Sequence, residues 1–155
     1  MVKVLIADNH PIVRKGIKSL FKNSTEIDVV GKASTTSELF DFISQEQVDV
    51  VLLEMDIPEV NGITALRRLK KDFPDVKVIM FSSHSEDVYA VSTLRAGASG
   101  YLSKSVATNV IKDAIVKVAN GGIYISNELA QRLAFDESTN KPRRFFRRLS
   151  TREVE

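Results

Sequence analysis

The sequence has no cysteine and no tryptophan, and only four prolines and seven glycines in 155 residues. Without cysteine there is no disulfide framework and no thiolate metal site. No apolar run approaches the roughly 20 residues of a membrane-spanning helix. The first residues reach the charged Asp8 too soon to supply the apolar stretch of a secretory signal. A cytoplasmic protein is the simplest reading. What is present suits a folded domain: 43% hydrophobic and 27% charged residues exclude wholesale disorder. The length fits one domain of common size plus a tail.

Charge is unevenly placed. Residues 141–155 hold six basic residues against two acidic ones, a net +4, which leaves −2 for residues 1–140 out of the total of +2. The main domain is slightly acidic, so nucleic acid is a question for the tail alone.

Short apolar, β-branched runs alternate with amphipathic stretches. Residues 2–7 (VKVLIA), 27–33 (IDVVGKA), 48–55 (VDVVLLEM), 76–82 (VKVIMFS) and 100–103 (GYLS) read as strands, the third being the most apolar, as at the centre of a covered sheet. Helices are expected from Pro11 through Phe21, with Ile12, Val13, Ile17, Leu20 and Phe21 at helical spacing, and over 37–45, 63–73, 86–96 and 107–119. Residues 127–135 suit one more helix, capped by Ser126 or Asn127.

Five βα units with short connections imply a parallel sheet with right-handed crossovers and helices on both faces. Chemistry in such sheets collects at the carboxyl ends of the strands. Asp8 and Asn9, Glu54 to Asp56, Ser82 and Ser83, and Lys104 all fall at that edge.

These segments carry a resemblance. IADNHP after the first strand, VLLEMDIPEVNG around the third, FSS after the fourth and GASGYLSK into the fifth resemble, in order and spacing, the receiver domain of bacterial two-component response regulators. The terminal LSTREVE resembles the opening of a LuxR-type helix-turn-helix, which places the chain with the NarL/FixJ class. The resemblance implies an α/β fold: a doubly wound, flavodoxin-like five-stranded parallel sheet of order 2-1-3-4-5. It divides the chain into a receiver domain (1–122), a C-terminal extension with a helix (123–135), a basic linker (136–148) and the start of a truncated DNA-binding domain (149–155). It further implies a transcription regulator that forms a homodimer, binds DNA through the missing domain and answers to a sensor histidine kinase. It implies no enzymatic activity of the chain's own and no membrane partner.

In that family an Asp at the end of the third strand accepts a phosphoryl group, and acids after the first strand help hold Mg²⁺. Carried over, Glu54 stands at the phosphoacceptor position. Asp8 and Asn9 complete the acidic pocket, Ser82 and Lys104 take the phosphoryl contacts, and Tyr101 is the switching aromatic. Asp8, Glu54 and the backbone carbonyl of Asp56 would be the metal ligands.

Two departures alter this picture. Glu54 replaces the Asp and carries its carboxylate roughly 1.5 Å further out, when misplacement on the order of 1 Å can cost about a hundredfold in rate. Asn9 replaces the second acid, which removes a charge and weakens Mg²⁺ binding. Phosphotransfer by the usual mechanism is therefore not expected. Either Glu54 imitates the phosphorylated state, pairing with Lys104 and accepting from Ser82, or the pocket is inert to phosphate and the domain is a dimerisation or ligand-responsive module. Glu54 together with Asn9 favours natural divergence over a single engineered mimic.

The remaining features have bland readings. His10 and His84 read as surface or helix-start residues without partners at metal-ligand spacing. Tyr101 is as readily packed as switching. The basic stretch 141–148 reads as a solvated linker, with Phe145 and Phe146 suited to docking on a neighbouring domain. A flavin- or nucleotide-binding protein is disfavoured because Asn9 to Arg14 form no Gly-rich phosphate loop. A stand-alone adaptor is the other alternative.

Overall fold

Each apolar run expected as a strand forms one, because its side chains find a helix on either face of one sheet. In the computed structural model, which describes residues 1–84 and 86–136, the elements in chain order are β1 (Val2–Ala7), α1 (Pro11–Leu20), β2 (Ile27–Ala33), α2 (Thr36–Gln45), β3 (Val50–Leu53), α3 (Gly62–Asp72), β4 (Lys77–Ser82), α4 (Glu86–Arg95), β5 (Gly100–Ser103), α5 (Thr108–Ala119) and α6 (Asn127–Asp136). The basic linker and the LSTREVE segment lie outside the described residues.

The sheet is wholly parallel, in the order β2-β1-β3-β4-β5. This is the flavodoxin-like, doubly wound architecture. Alternate strand residues feed two cores: Ile17 and Phe21 of α1 with Ile111, Ala114, Ile115 and Val118 of α5 on one face, and residues of α2, α3 and α4 on the other. All four residues of β3 are buried, as the unbroken apolar run requires.

The structure corrects details of the sequence reading. β3 is shorter than expected because its ladder closes at Asp49, whose N–H donates to Lys3, and at Glu54, whose N–H donates to Ala7. The α1 stripe is narrower. Val13, Ile17 and Phe21, four residues apart, face the sheet, whereas Ile12 is 84% exposed and Leu20 38% exposed. At about 100° per residue Ile12 points well away from Ile17. α2 and α3 each start one residue earlier than expected, because Thr35 and Asn61 act as N-caps and accept from the N–H of Glu38 and Thr64.

Gly62, the first residue of α3, lies where no side chain fits. A Cβ there would stand 2.8 Å from both the Glu54 carbonyl oxygen and the Met55 Cα. The glycine lets α3 close against the turn that carries Glu54, and its N–H donates to Met55 O at 2.7 Å.

Residue 122 does not mark a break in packing. Ile123 and Ile125 pack on the α2–α4 face, Tyr124 packs on the α1/α5 face, and Leu129 of α6 is fully buried.

Candidate functional site

β1, β3, β4 and β5 end side by side, so Asp8, Glu54, Ser82 and Lys104 converge at one sheet edge. Asp8 and Glu54 are each 1% exposed and Ser82 is fully buried. Burying two carboxylates is costly unless a cation or hydrogen-bond donors meet them. Lys104 supplies the cation: its Nζ lies 2.7 Å from Asp8 Oδ2 and 2.5 Å from Glu54 Oε2.

The other carboxylate oxygens are met by lighter contacts. Glu54 Oε1 accepts from the Asp56 N–H at 3.3 Å and from the Ser82 hydroxyl at 3.5 Å, the latter at the limit of a hydrogen bond. Asp8 Oδ1 accepts from the His10 N–H at 2.8 Å and faces His10 Nδ1 at 2.7 Å. An ionised carboxylate can only accept, so that contact places the proton on Nδ1. The Lys104 Nζ–His10 Nδ1 approach of 3.1 Å is then a close passage of two donors held together by Asp8 between them. Arg14 Nη1 donates to the Asp8 backbone carbonyl at 2.6 Å and ties α1 to the same corner.

Beside the pocket, the β4–α4 turn is fixed at three points. The His84 N–H donates to Ser82 Oγ at 3.1 Å, its Nε2 meets Asp56 Oδ2 at 2.6 Å, and its carbonyl accepts from the Tyr101 hydroxyl at 3.1 Å. Tyr101 is 2% exposed and turned inward. The His84 ring also meets Tyr89 edge-on, with centroids 4.9 Å apart.

Of the residues singled out in the sequence, Asp8, Glu54, Ser82 and Lys104 come together, and Tyr101 adjoins them through His84. Asn9 is exposed, and the Asp56 side chain turns outward to His84. His10 is half-exposed and is the N-cap of α1, as expected of a surface or helix-start residue; what the structure corrects is the expected lack of partners, for Asp8, His10 and Glu54 offer ligand atoms within 4.8 Å of one another. His84 bridges the turns that follow β3 and β4. The available signal for His10 was its place two residues after Asp8, at the N-terminus of α1 on the same sheet edge.

This arrangement fits Mg²⁺ poorly. That ion takes about six oxygen ligands at close range, and here every carboxylate oxygen faces a protein donor while the Lys104 ammonium stands between the two acids. A dication would have to displace Lys104.

Comparison with known proteins places the fold and the family. The family model described as response regulator receiver domain matches residues 4–116. The response regulator UvrY of Escherichia coli is 36% identical over the whole chain, which spans 72% of that protein. The response regulator GacA of Pseudomonas protegens is 35% identical, again over the whole chain and 73% of the relative. Among solved structures, a LuxR-family two-component response regulator from Aurantimonas superposes with a TM-score of 0.80 at 27% identity, covering 89% of this chain and 99% of that one. The receiver domain of the regulator NarL from Mycobacterium tuberculosis gives 0.73 at 28% identity, covering 77% of this chain and 97% of that one. With the sheet order, the acid–lysine pocket and these matches in agreement, the chain belongs to the response regulator receiver domain family.

Proposed function

We propose that this receiver is the signal-input part of a DNA-binding transcription regulator and that its state is set by the Glu54–Lys104 pair rather than by a phosphoryl group. The observation that carries this reading is the Lys104 ammonium shared between Asp8 and Glu54, both almost wholly buried. A phosphoryl group would be held at that place by the same ammonium and by Ser82. The Glu54 carboxylate supplies one charge where a phosphate brings about −1.5 to −2, so the pocket rests in a partly activated arrangement. Tyr101 turned inward onto the His84 carbonyl accords with it.

The regulator acts as a homodimer in the cytoplasm, paired through the faces of α1 and α5 or of α4 and α5, and reaches DNA through a LuxR-type domain beginning at 149–155. A sensor histidine kinase is the upstream partner that the family implies, and Mg²⁺ binds weakly. The matches to UvrY and to the LuxR-family structure support this placement.

The test is intact mass after incubation with Mg²⁺ and a small-molecule phosphodonor, beside an Asn9→Asp, Glu54→Asp double variant. Phosphoryl gain by the double variant alone is the expected result. Gain by the unaltered chain would refute the reading.

A further inference from the structure

β5 is a short edge strand, and its outer side is not open. After the turn at Gly121 and Gly122 the chain runs back along it. Tyr124 forms a parallel bridge with Gly100, its N–H donates to Ser99 O at 2.9 Å, and its carbonyl accepts from the Tyr101 N–H at 3.3 Å. Successive residues alternate across the sheet as in a strand: Ile123 and Ile125 to one core, Tyr124 to the other. The close approach depends on Gly100, where a Cβ would lie 3.0 Å from the Tyr124 carbonyl oxygen and 3.3 Å from its Cβ. Ser126 then caps α6 by accepting from the Leu129 N–H, and Leu129 is fully buried in the α2–α4 core.

Among the described residues the backbone of this segment is tied to β5 by two hydrogen bonds and its side chains by apolar contacts, and an edge element of this kind can open locally before the rest of a domain. It is also joined to the pocket by contiguous contacts. Glu54 meets Ser82, the Ser82 hydroxyl accepts from His84, the His84 carbonyl accepts from the Tyr101 hydroxyl, and the Tyr101 N–H donates to Tyr124. β5 ties the same points from the other end, since Lys104 follows it directly and its N–H donates to Ser82 O.

We infer that residues 123–129 form a displaceable strap on the β5 edge, held down by the closed pocket and released when the Glu54–Lys104 pair opens. The strap leads directly into the C-terminal part of the chain, so its release converts the state of the pocket into freedom of whatever follows and uncovers the β5 edge for pairing. The inference deepens the proposed regulatory role of the pocket and rests on it.

Amide hydrogen exchange followed by NMR on the 155-residue chain tests it. In Glu54→Gln and in Lys104→Met, the local-opening (denaturant-independent) exchange of the Tyr101 and Tyr124 amides should be about tenfold faster, while the Ile6 and Leu52 amides in the sheet centre change only as far as global stability does. Coupling is reciprocal, so Leu129→Ser should speed exchange of the Lys104 amide. Gly100→Ala, whose Cβ presses on Tyr124 of the strap and meets the Ile79 Cγ1 methylene only at ordinary contact distance, replaces it should that variant not fold. Unchanged local-opening exchange of Tyr124 in both pocket variants would overturn the inference, and so would faster Tyr124 exchange that appears only in step with global unfolding, which means plain destabilisation. Phosphoryl uptake by the unaltered chain would refute the reading of Glu54 without touching the coupling, so the two failures are distinguishable.

Discussion

The Lys104 ammonium stands 2.5 Å from Glu54 Oε2, at the end of a side chain reaching in from the strand next but one in the sheet. Only 14% of the Lys104 side chain is exposed, and Asp8 shares its charge from the other side. The pocket therefore carries its own counter-ion, and most of what the site does follows from how firmly that ion is held.

Removing Lys104 should be the most damaging single change in the pocket. Lys104→Met keeps most of the length of the side chain but leaves two buried carboxylates without a cation, a loss on the order of 3–5 kcal/mol. Glu54→Gln keeps the shape and leaves Lys104 paired with Asp8, so it should cost distinctly less. Urea denaturation of the two variants decides the matter. Equal losses would show that the pair contributes through packing rather than charge.

Gly62→Ala should also destabilise, by about 1–3 kcal/mol, although the residue lies in a turn-to-helix junction. The atoms its Cβ would meet are the backbone of Glu54 and Met55, which cannot rotate aside. The turn carrying Glu54 would have to move. A melting temperature lowered together with shifted NMR signals of Glu54 and Asp56 is the expected outcome; a lowered melting temperature alone would mean that the strain is relieved elsewhere.

The strands and the sheet edge were legible because unbroken β-branched runs and Pro or Gly punctuation are local signals. Convergence of Asp8, Glu54, Ser82 and Lys104 followed from topology, once parallel strands were inferred. The contacts of His10 and His84 were not legible. Each depends on the path of a turn over the sheet edge, a few ångströms that no periodicity encodes. The exposed Ile12 was misread for a related reason: an apolar residue next to a true stripe looks like part of it until the phase of the helix is fixed. The strap was half legible. Residues 123–126 show as a short apolar piece, but nothing local says that Tyr124 pairs with Gly100.

The turn after β3 has a second clasp, and it is sensitive to pH. Glu59, in a left-handed conformation at φ 81°, accepts from the Ser37 N–H at 2.8 Å and from the Thr36 hydroxyl. Hydrogen bonds from Ser37 above all, with help from Thr36 and Thr35, hold its carboxyl below the ordinary glutamate range. A depressed folded-state pKa means that the charged clasp stabilises the fold above the ordinary glutamate range and is lost as pH falls through the depressed value. Glu59→Gln should therefore narrow its stability gap to the unaltered chain on acidification. A gap that is constant down to strongly acidic pH would show that the charge contributes nothing.

Asn9 gives the sharpest test of why the pocket fits Mg²⁺ poorly. Two obstacles are separable: a missing negative charge at residue 9 and a lysine already placed between the acids. Asn9→Asp restores only the charge. Because residue 9 is exposed while Asp8 and Glu54 are buried around Lys104, the added carboxylate can attract a dication to the rim without evicting the ammonium. The single variant should bind Mg²⁺ only modestly better. Asn9→Asp with Glu54→Asp should bind markedly better, because the shorter side chain withdraws from Lys104 and opens the space between the acids. Calorimetric titration with Mg²⁺ compares them. If Asn9→Asp alone restores the full gain, charge is the sole obstacle, and the Lys104–Glu54 pair yields to a metal more readily than its burial implies.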